Sequence, residues 1–202
     1  MPRRQLLTAA TLSLLTLTAC TPPPKAGRPN TTPTTQTSTP APIPTATVSD
    51  PIWTPEQEAA ITAAKARYVA ATAAVDKALG APAALDRSAL EKSGVGGEWI
   101  IEIIDQARSF TRSGWYQTGA TRIVSTKVKS VKLDGGQPEV NLINCLDTSA
   151  LVTRFEKDHK PVPMGPGTGK RRLFTSRLVY AAPAPSGQKL WFLVADQGGG
   201  KC

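Results

Sequence analysis

Three cysteines and one histidine are the residues of this chain whose side chains most readily do chemistry. The cysteines stand at positions 20, 145 and 202, so none of them forms the C-x-x-C pair on which thiol redox work usually depends. Cys145, Cys202 and His159 together are too few ligands for a structural zinc site. We therefore predict no metal and no cofactor.

The single histidine has an acidic neighbour in the sequence. His159 lies between Asp158 and Lys160, in a segment that we predict to be a loop. One hypothesis is a general base that Asp158 orients; the other is an exposed loop residue with no catalytic role. We favour the second.

A glycine-rich stretch before the third predicted strand looks like a phosphate-binding loop. It runs from Gly165 to Lys170, but the G-x-x-x-x-G-K-[ST] pattern would need Gly at Met164 and Ser or Thr at Arg171. We interpret the stretch as a flexible hairpin loop. The consecutive cations Lys170, Arg171 and Arg172 could still form an anion-binding edge.

The first nineteen residues have the layout of a secretory signal peptide. Arg3 and Arg4 precede an uncharged run from Gln5 to Thr18. That run is shorter than the roughly 20 apolar residues that a membrane-spanning helix needs, so we expect export without a permanent transmembrane helix.

The end of this run, Leu17-Thr18-Ala19-Cys20, resembles the bacterial lipobox. The resemblance implies cleavage before Cys20 and a diacylglyceryl group on its thiol, with acyl chains such as palmitate, on the extracytoplasmic face of the cell membrane. Two acyl chains hold a protein stably where one is marginal. The alternative is an ordinary secreted protein cut near Ala19.

If Cys20 is lipidated, two cysteines remain in an exported protein. We predict that Cys145 and Cys202 form a disulfide, since such pairs persist in oxidising compartments. Two free thiols or a redox pair are the alternatives.

Residues 20–52 are predicted to be a disordered tether that begins at the lipidated cysteine. Pro and Thr dominate this stretch and almost nothing in it could be buried. Extended Pro-rich chain spans about 3.1 Å per residue, so the tether could hold a domain up to roughly 90 Å from the bilayer.

The chain is basic, with 24 Lys+Arg and 15 Asp+Glu, and loss of Arg3 and Arg4 lowers its net charge from +9 to +7. An exported protein meets no nucleic acid, so this charge would face anionic lipid headgroups or acidic wall polymers, unless it serves only solubility. The sequence itself defines no charged patch.

Residues 53–202 are predicted to form one α+β domain, because three helical patterns precede all of the strands. The helices begin after the Thr54 cap, near Pro82 and near Glu98, and Gly80 and Gly114 end the first and third. Strands follow from Val124, with a β-bulge near Lys129 or Ser130 where the parity of the apolar residues switches. The later strands are predicted over 140–146, with an extension past Asp147 to Phe155, and over 172–180 and 189–195.

This order, with Trp115-Tyr116 between Gly114 and Gly119 and the stretch from Cys145 to Ser149 in the middle, resembles actinobacterial exported proteins of the nuclear-transport-factor-two-like (SnoaL-like) family. The resemblance implies a cystatin-like cone, in which helices cover a curved antiparallel sheet around a conical pocket. An isomerase or cyclase of this type would need a carboxylate inside the cone. Asp105 and Asp147 are the candidates, and for both we favour a structural role.

We therefore expect a surface lipoprotein whose domain is a non-catalytic binding or assembly module, with a cell-wall polymer or a surface protein as partner. The alternatives are a carrier of a small apolar ligand and, third, an isomerase-type or cyclase-type enzyme. A deep pocket would favour the carrier, and an inward carboxylate with a raised pKa would favour the enzyme.

Overall fold

The computed structural model describes residues 52–163, 170–183 and 187–202. The first helix, α1, spans Pro55–Gly80. The Thr54 side chain accepts a hydrogen bond from the backbone N–H of Gln57, and the Gln57 side chain accepts one from the backbone N–H of Thr54. This reciprocal capping box satisfies two of the free N–H groups at the helix start, as the sequence predicted.

The second predicted helix is broken in two. A single 3₁₀ turn covers Pro82–Ala84, and helix α2 begins only at Arg87 and ends at Lys92. Asp86 causes the restart, because its carboxylate accepts the Ser88 backbone N–H at 2.8 Å as an N-cap.

Helix α3 spans Gly97–Ser113, in agreement with the sequence. It ends at Gly114, which adopts a left-handed conformation with φ of 63°. The apolar stripe of α3 is buried through Ile100, Ile103 and Ala107.

The strands form two antiparallel sheets. A two-stranded sheet pairs β1, Trp115–Thr118, with β4, Val152–Phe155. The four-stranded sheet has the order β2-β3-β5-β6. Its strands are β2 (Arg122–Lys132), β3 (Glu139–Asp147), β5 (Arg171–Ala181) and β6 (Leu190–Lys201).

The expected bulge in β2 is present where the register shifts between Val128 and Ser130. A second shift, between Ile123 and Ser125, was not predicted. The extension of β3 to Phe155 was wrong: β3 ends at Asp147, and the chain turns before β4 pairs with β1.

The last strand is longer than its sequence suggested. The predicted strand ended at position 195, but the strand continues through three glycines to Lys201, where it pairs with Arg172. Its outer edge is also occupied: Leu193 exchanges backbone hydrogen bonds with Gly94 (2.7 Å) and Gly96 (2.9 Å).

The core lies between the helices and one face of the four-stranded sheet. Its buried members come from α1, α2, α3, β3, β5 and β6, and they include Tyr68, Leu90, Ile103, Leu142, Leu178 and Leu193. The domain is therefore α+β, with helices packed on a curved antiparallel sheet as in a cystatin-like cone. No helix in the described residues is both long and apolar enough to span a bilayer.

A disulfide joins Cys145 of β3 to Cys202, which lies 57 positions further along the sequence. Cys145 lies on the sheet face away from the helices, so the bond fastens the C-terminus across β5 onto β3.

Substitution of Cys202 by Ser should lower the free energy of unfolding by about 4 kcal/mol, the loop-closure contribution for a loop of this size. Urea denaturation at equilibrium measures the change. A reductant should bring the wild type down to the stability of the variant and leave the variant unaffected. A wild type that is insensitive to reductant would contradict the prediction.

Candidate functional site: a cavity under helices α1 and α3

A cavity of about 230 Å³ lies between helices α1 and α3 and the core-facing side of the sheet. Most of its wall is apolar, and it includes Val75, Leu79, Ile103, Leu146 and Phe174. Two groups with distinctive chemistry, Trp99 and Asp196, also line it. The volume is below the range of roughly 300–1,000 Å³ that is usual for drug-sized ligands, so the cavity suits a smaller molecule.

Asp196 sits on β6 at the end of a chain of hydrogen-bonded side chains. Its carboxylate accepts from Ser176 at 2.5 Å and from the Tyr68 hydroxyl at 3.4 Å. Ser176 in turn accepts from the Asn144 amide at 2.7 Å, and the Asn144 carbonyl accepts from Thr126 at 2.7 Å. Asn144 and Ser176 are fully buried, so the sheet supplies the hydrogen bonds that water would otherwise make.

Burial raises the pKa of Asp196 to about 6, although the hydrogen bonds from Ser176 and Tyr68 act in the opposite direction. Burial and the nearby Asp196 carboxylate also raise the pKa of Tyr68 well above its usual range. Tyr68 therefore stays neutral and donates its proton, whereas Asp196 changes its charge near pH 6.

The indole N–H of Trp99 has no hydrogen-bond partner among the described residues, although its nitrogen is buried. An unpaired buried donor costs about 1–3 kcal/mol, so such groups usually have a partner. Trp99 lies on α3 and lines the same cavity as Asp196.

A second carboxylate in the cavity wall is already hydrogen-bonded. Asp76 of α1 accepts from the backbone N–H of Thr121 at 2.7 Å and from its hydroxyl at 2.9 Å. Both oxygens thus hold the start of β2 against the helix. Asp196 remains the carboxylate of the cavity that can donate or accept a proton near neutral pH.

The two carboxylates that the sequence offered as inward-facing are not in the cavity. Asp105 was wrong as an inward candidate: its side chain is 64% exposed on α3 and pairs with Arg108. Asp147 is buried, but it lies on the opposite face of the sheet, where it pairs with Arg122 and Arg171. Hydrogen bonds from Ser149 and these arginines hold its pKa below the usual range, so it has the structural role we favoured.

His159 is exposed and is not oriented by Asp158. Its Nδ1 lies 2.8 Å from the Tyr116 hydroxyl, while Asp158 accepts from the backbone N–H of Lys160. The hypothesis of an Asp158–His159 general base is therefore wrong, and the exposed-loop interpretation agrees with the structure.

Two of the three predicted anion-binding residues have partners within the domain. Arg171 pairs with Asp147 at 3.3 Å, and Arg172 donates to the Gly199 carbonyl at 3.4 Å. Lys170 is exposed at the start of β5. The preceding glycine-rich loop at 164–169, the signal peptide, Cys20 and the tether up to residue 51 lie outside the described residues.

Asp196 was missed because nothing near it in the sequence marks it. Its partners Tyr68 and Ser176 are 128 and 20 residues away, and the predicted strand stopped one residue before it. A usable sign was present in the helix: Tyr68 falls on the buried stripe of α1, and a buried tyrosine hydroxyl requires a partner.

No family model matches this chain, and no curated protein matches it. Among solved structures, it is similar to the intermembrane space region of the chloroplast protein ARC6, at 13% identity and a TM-score of 0.45. The match covers 72% of this chain and 97% of that one.

Because the pKa of Asp196 is raised in the folded protein, the free energy of unfolding should decrease as the pH rises. Between pH 4 and 6 the folded protein holds a proton that the unfolded chain releases, so the free energy of unfolding should drop by at most about 3 kcal/mol and stay lower above pH 6. Asp196→Asn removes the charge and should abolish the drop. Urea denaturation at pH 4 and pH 7 measures it.

Asp105→Asn is the control, because Asp105 is exposed and its substitution should leave the drop intact. Asp147 titrates below this pH window and does not interfere. An identical pH dependence in the wild type and in Asp196→Asn would contradict the assignment.

Proposed function

We propose that this chain is a membrane-anchored surface lipoprotein of the nuclear-transport-factor-two-like type, whose domain binds a small ligand in the cavity beneath α1 and α3. The observation that carries the proposal is one cavity whose mostly apolar wall also includes Asp196 and Trp99, together with a Trp99 N–H that has no partner among the described residues. Small-molecule sites typically have this composition, a hydrophobic lining with a few converging polar groups.

The chemistry of the lining defines the ligand. An acceptor on the ligand would satisfy the Trp99 N–H, and a donor would meet the Asp196 carboxylate, while an apolar body would fill the space beside Val75 and Leu146. The ligand is therefore small and mostly apolar, with one polar end. A ligand of this kind agrees better with the carrier alternative than with an assembly module.

A second candidate is a proton-transfer enzyme of the isomerase type. The pKa of about 6 for Asp196 favours it, because a general acid or base works best with a pKa near the operating pH. The non-catalytic proposal stands first because the other carboxylate of the cavity, Asp76, is committed to Thr121.

Native mass spectrometry of the full chain in an uncharged detergent tests the cavity. We expect a reproducible extra mass on the wild type and its loss in Val75→Phe, whose ring would occupy the cavity. Val69→Phe is the matched control, since Val69 is 56% exposed on the same helix, and it should retain the mass. A wild type without an extra mass that also binds no member of a small-fragment set would sink the proposal.

The anchor is tested separately through Cys20. Cys20→Ala should move the protein out of the membrane fraction and remove the lipid mass from its N-terminal peptide, whereas Cys202→Ser should leave both unchanged. If Cys20→Ala still fractionates with membranes, the lipoprotein part of the proposal fails, and the cavity part is unaffected.

A further inference from the structure

The charge of this protein is divided between its two layers. Residues 52–113, which form the helices, carry seven Lys+Arg and eight Asp+Glu, whereas residues 114–202 carry thirteen and six. The whole excess of positive charge in the domain thus belongs to the strands and their loops. A division of this kind produces an electropositive side that attracts anions.

The two bulges of β2 collect cations onto the helix-free face of the sheet. Lys127 and Lys132 are five residues apart, so in a regular strand their side chains would point to opposite faces. The shift between Val128 and Ser130 lets Lys127 pair with Ile143 and Lys132 with Glu139, two positions on one face of β3. The other shift places Arg122, opposite Asp147, on that face as well.

The arginines at this face are already neutralised by carboxylates. Asp147 binds Arg122 at 2.9 Å and Arg171 at 3.3 Å, and Glu139 binds Arg177 at 3.2 Å. The lysines of β2 are not: within the described residues, Lys127, Lys129 and Lys132 are all exposed and none forms an ion pair. Six other cations of residues 114–202 also form no ion pair within the described residues, but they are dispersed over β4, β5, β6 and the loops. The three lysines of β2 are the ones that lie in a row along a single strand.

The line follows an open edge of the sheet. The described residues place no strand beside the outer edge of β2, whereas Gly94 and Gly96 occupy that of β6 at Leu193. Lys127 and Lys132 are at most about 17 Å apart along the strand, with Lys129 at the bulge between them. Three cations in such a row complement a chain of regularly spaced negative charges.

We infer that the β2 edge, through Lys127, Lys129 and Lys132, binds a linear polyanion with a negative charge on each repeat, as in a polyphosphate. A flat anionic bilayer fits less well, because it would meet the middle of the sheet, where the arginines are paired with Asp147 and Glu139. Edge lysines also discourage strand-to-strand aggregation, and that role alone would leave the polymer unbound. The site is separate from the cavity and does not depend on the proposed function.

Binding of fluorescent inorganic polyphosphate to the full chain in an uncharged detergent tests this inference. The triple variant Lys127→Gln, Lys129→Gln, Lys132→Gln should weaken binding at 0.1 M salt by about tenfold or more. It should also lower the slope of log K against log salt by about 2, which corresponds to three lost phosphate contacts. Replacement of the same three lysines by Arg keeps the charge and should preserve both quantities.

The matched control removes three exposed cations from the helical side: Lys77→Gln, Lys92→Gln and Arg112→Gln. It has the same net charge as the first variant and should bind nearly as well as the wild type. If both variants lost the same affinity for polyphosphate, net charge alone would explain the binding, and the proposed site on β2 would be wrong. Absence of polyphosphate binding in the wild type would also overturn it and leave edge protection as the role of the lysines. Tighter binding to vesicles with 30% phosphatidylglycerol, lost in the triple variant, would assign the edge to a membrane instead.

Discussion

One hydrogen-bonded chain of side chains holds the layers of this domain together. It starts at Thr126 on β2, passes through Asn144 on β3 and Ser176 on β5, and reaches Asp196 on β6, where Tyr68 of α1 joins it. Every strand of the larger sheet contributes one member. A buried polar group without a partner costs about 1–3 kcal/mol, so each member fixes the register of its neighbours and the position of the helix above them.

The same chain explains why the cavity has an unusual carboxylate. If the core were entirely apolar, no acid would be needed at position 196. If the acid were solvated, its pKa would be close to the usual value. Asp196 instead ends a buried network and faces the cavity, so that burial outweighs its two hydrogen bonds. The structural requirement at the centre of the sheet thus produces a group that titrates near pH 6 at the wall of the cavity.

Local signals explain what the sequence could predict. Helices α1 and α3 were found because the Thr54 capping box, the left-handed Gly114 and the spacing of buried residues act within a few positions. The short strands β1 and β4 escaped because each has four residues and their pairing joins Trp115 to Phe155. The glycines at 198–200 have a low intrinsic preference for strand, and the long partner β5 overrides it. Asp196 depends on contacts that no window of sequence contains.

The bulges of β2 affect both faces of the sheet, because they change which residues face the helices and which face the opposite surface. The apolar members Ile123, Val128 and Val131 must face the helices, and they have mixed parity, so a strand without bulges would expose one set of them. Each bulge corrects the inner face and by the same rotation shifts the outer one, which aligns Arg122, Lys127 and Lys132. Core packing alone would be satisfied by any polar residues at these outer positions. All three of these residues are nevertheless cations, and Lys127 and Lys132 form no ion pair within the described residues. Burial does not explain this charge.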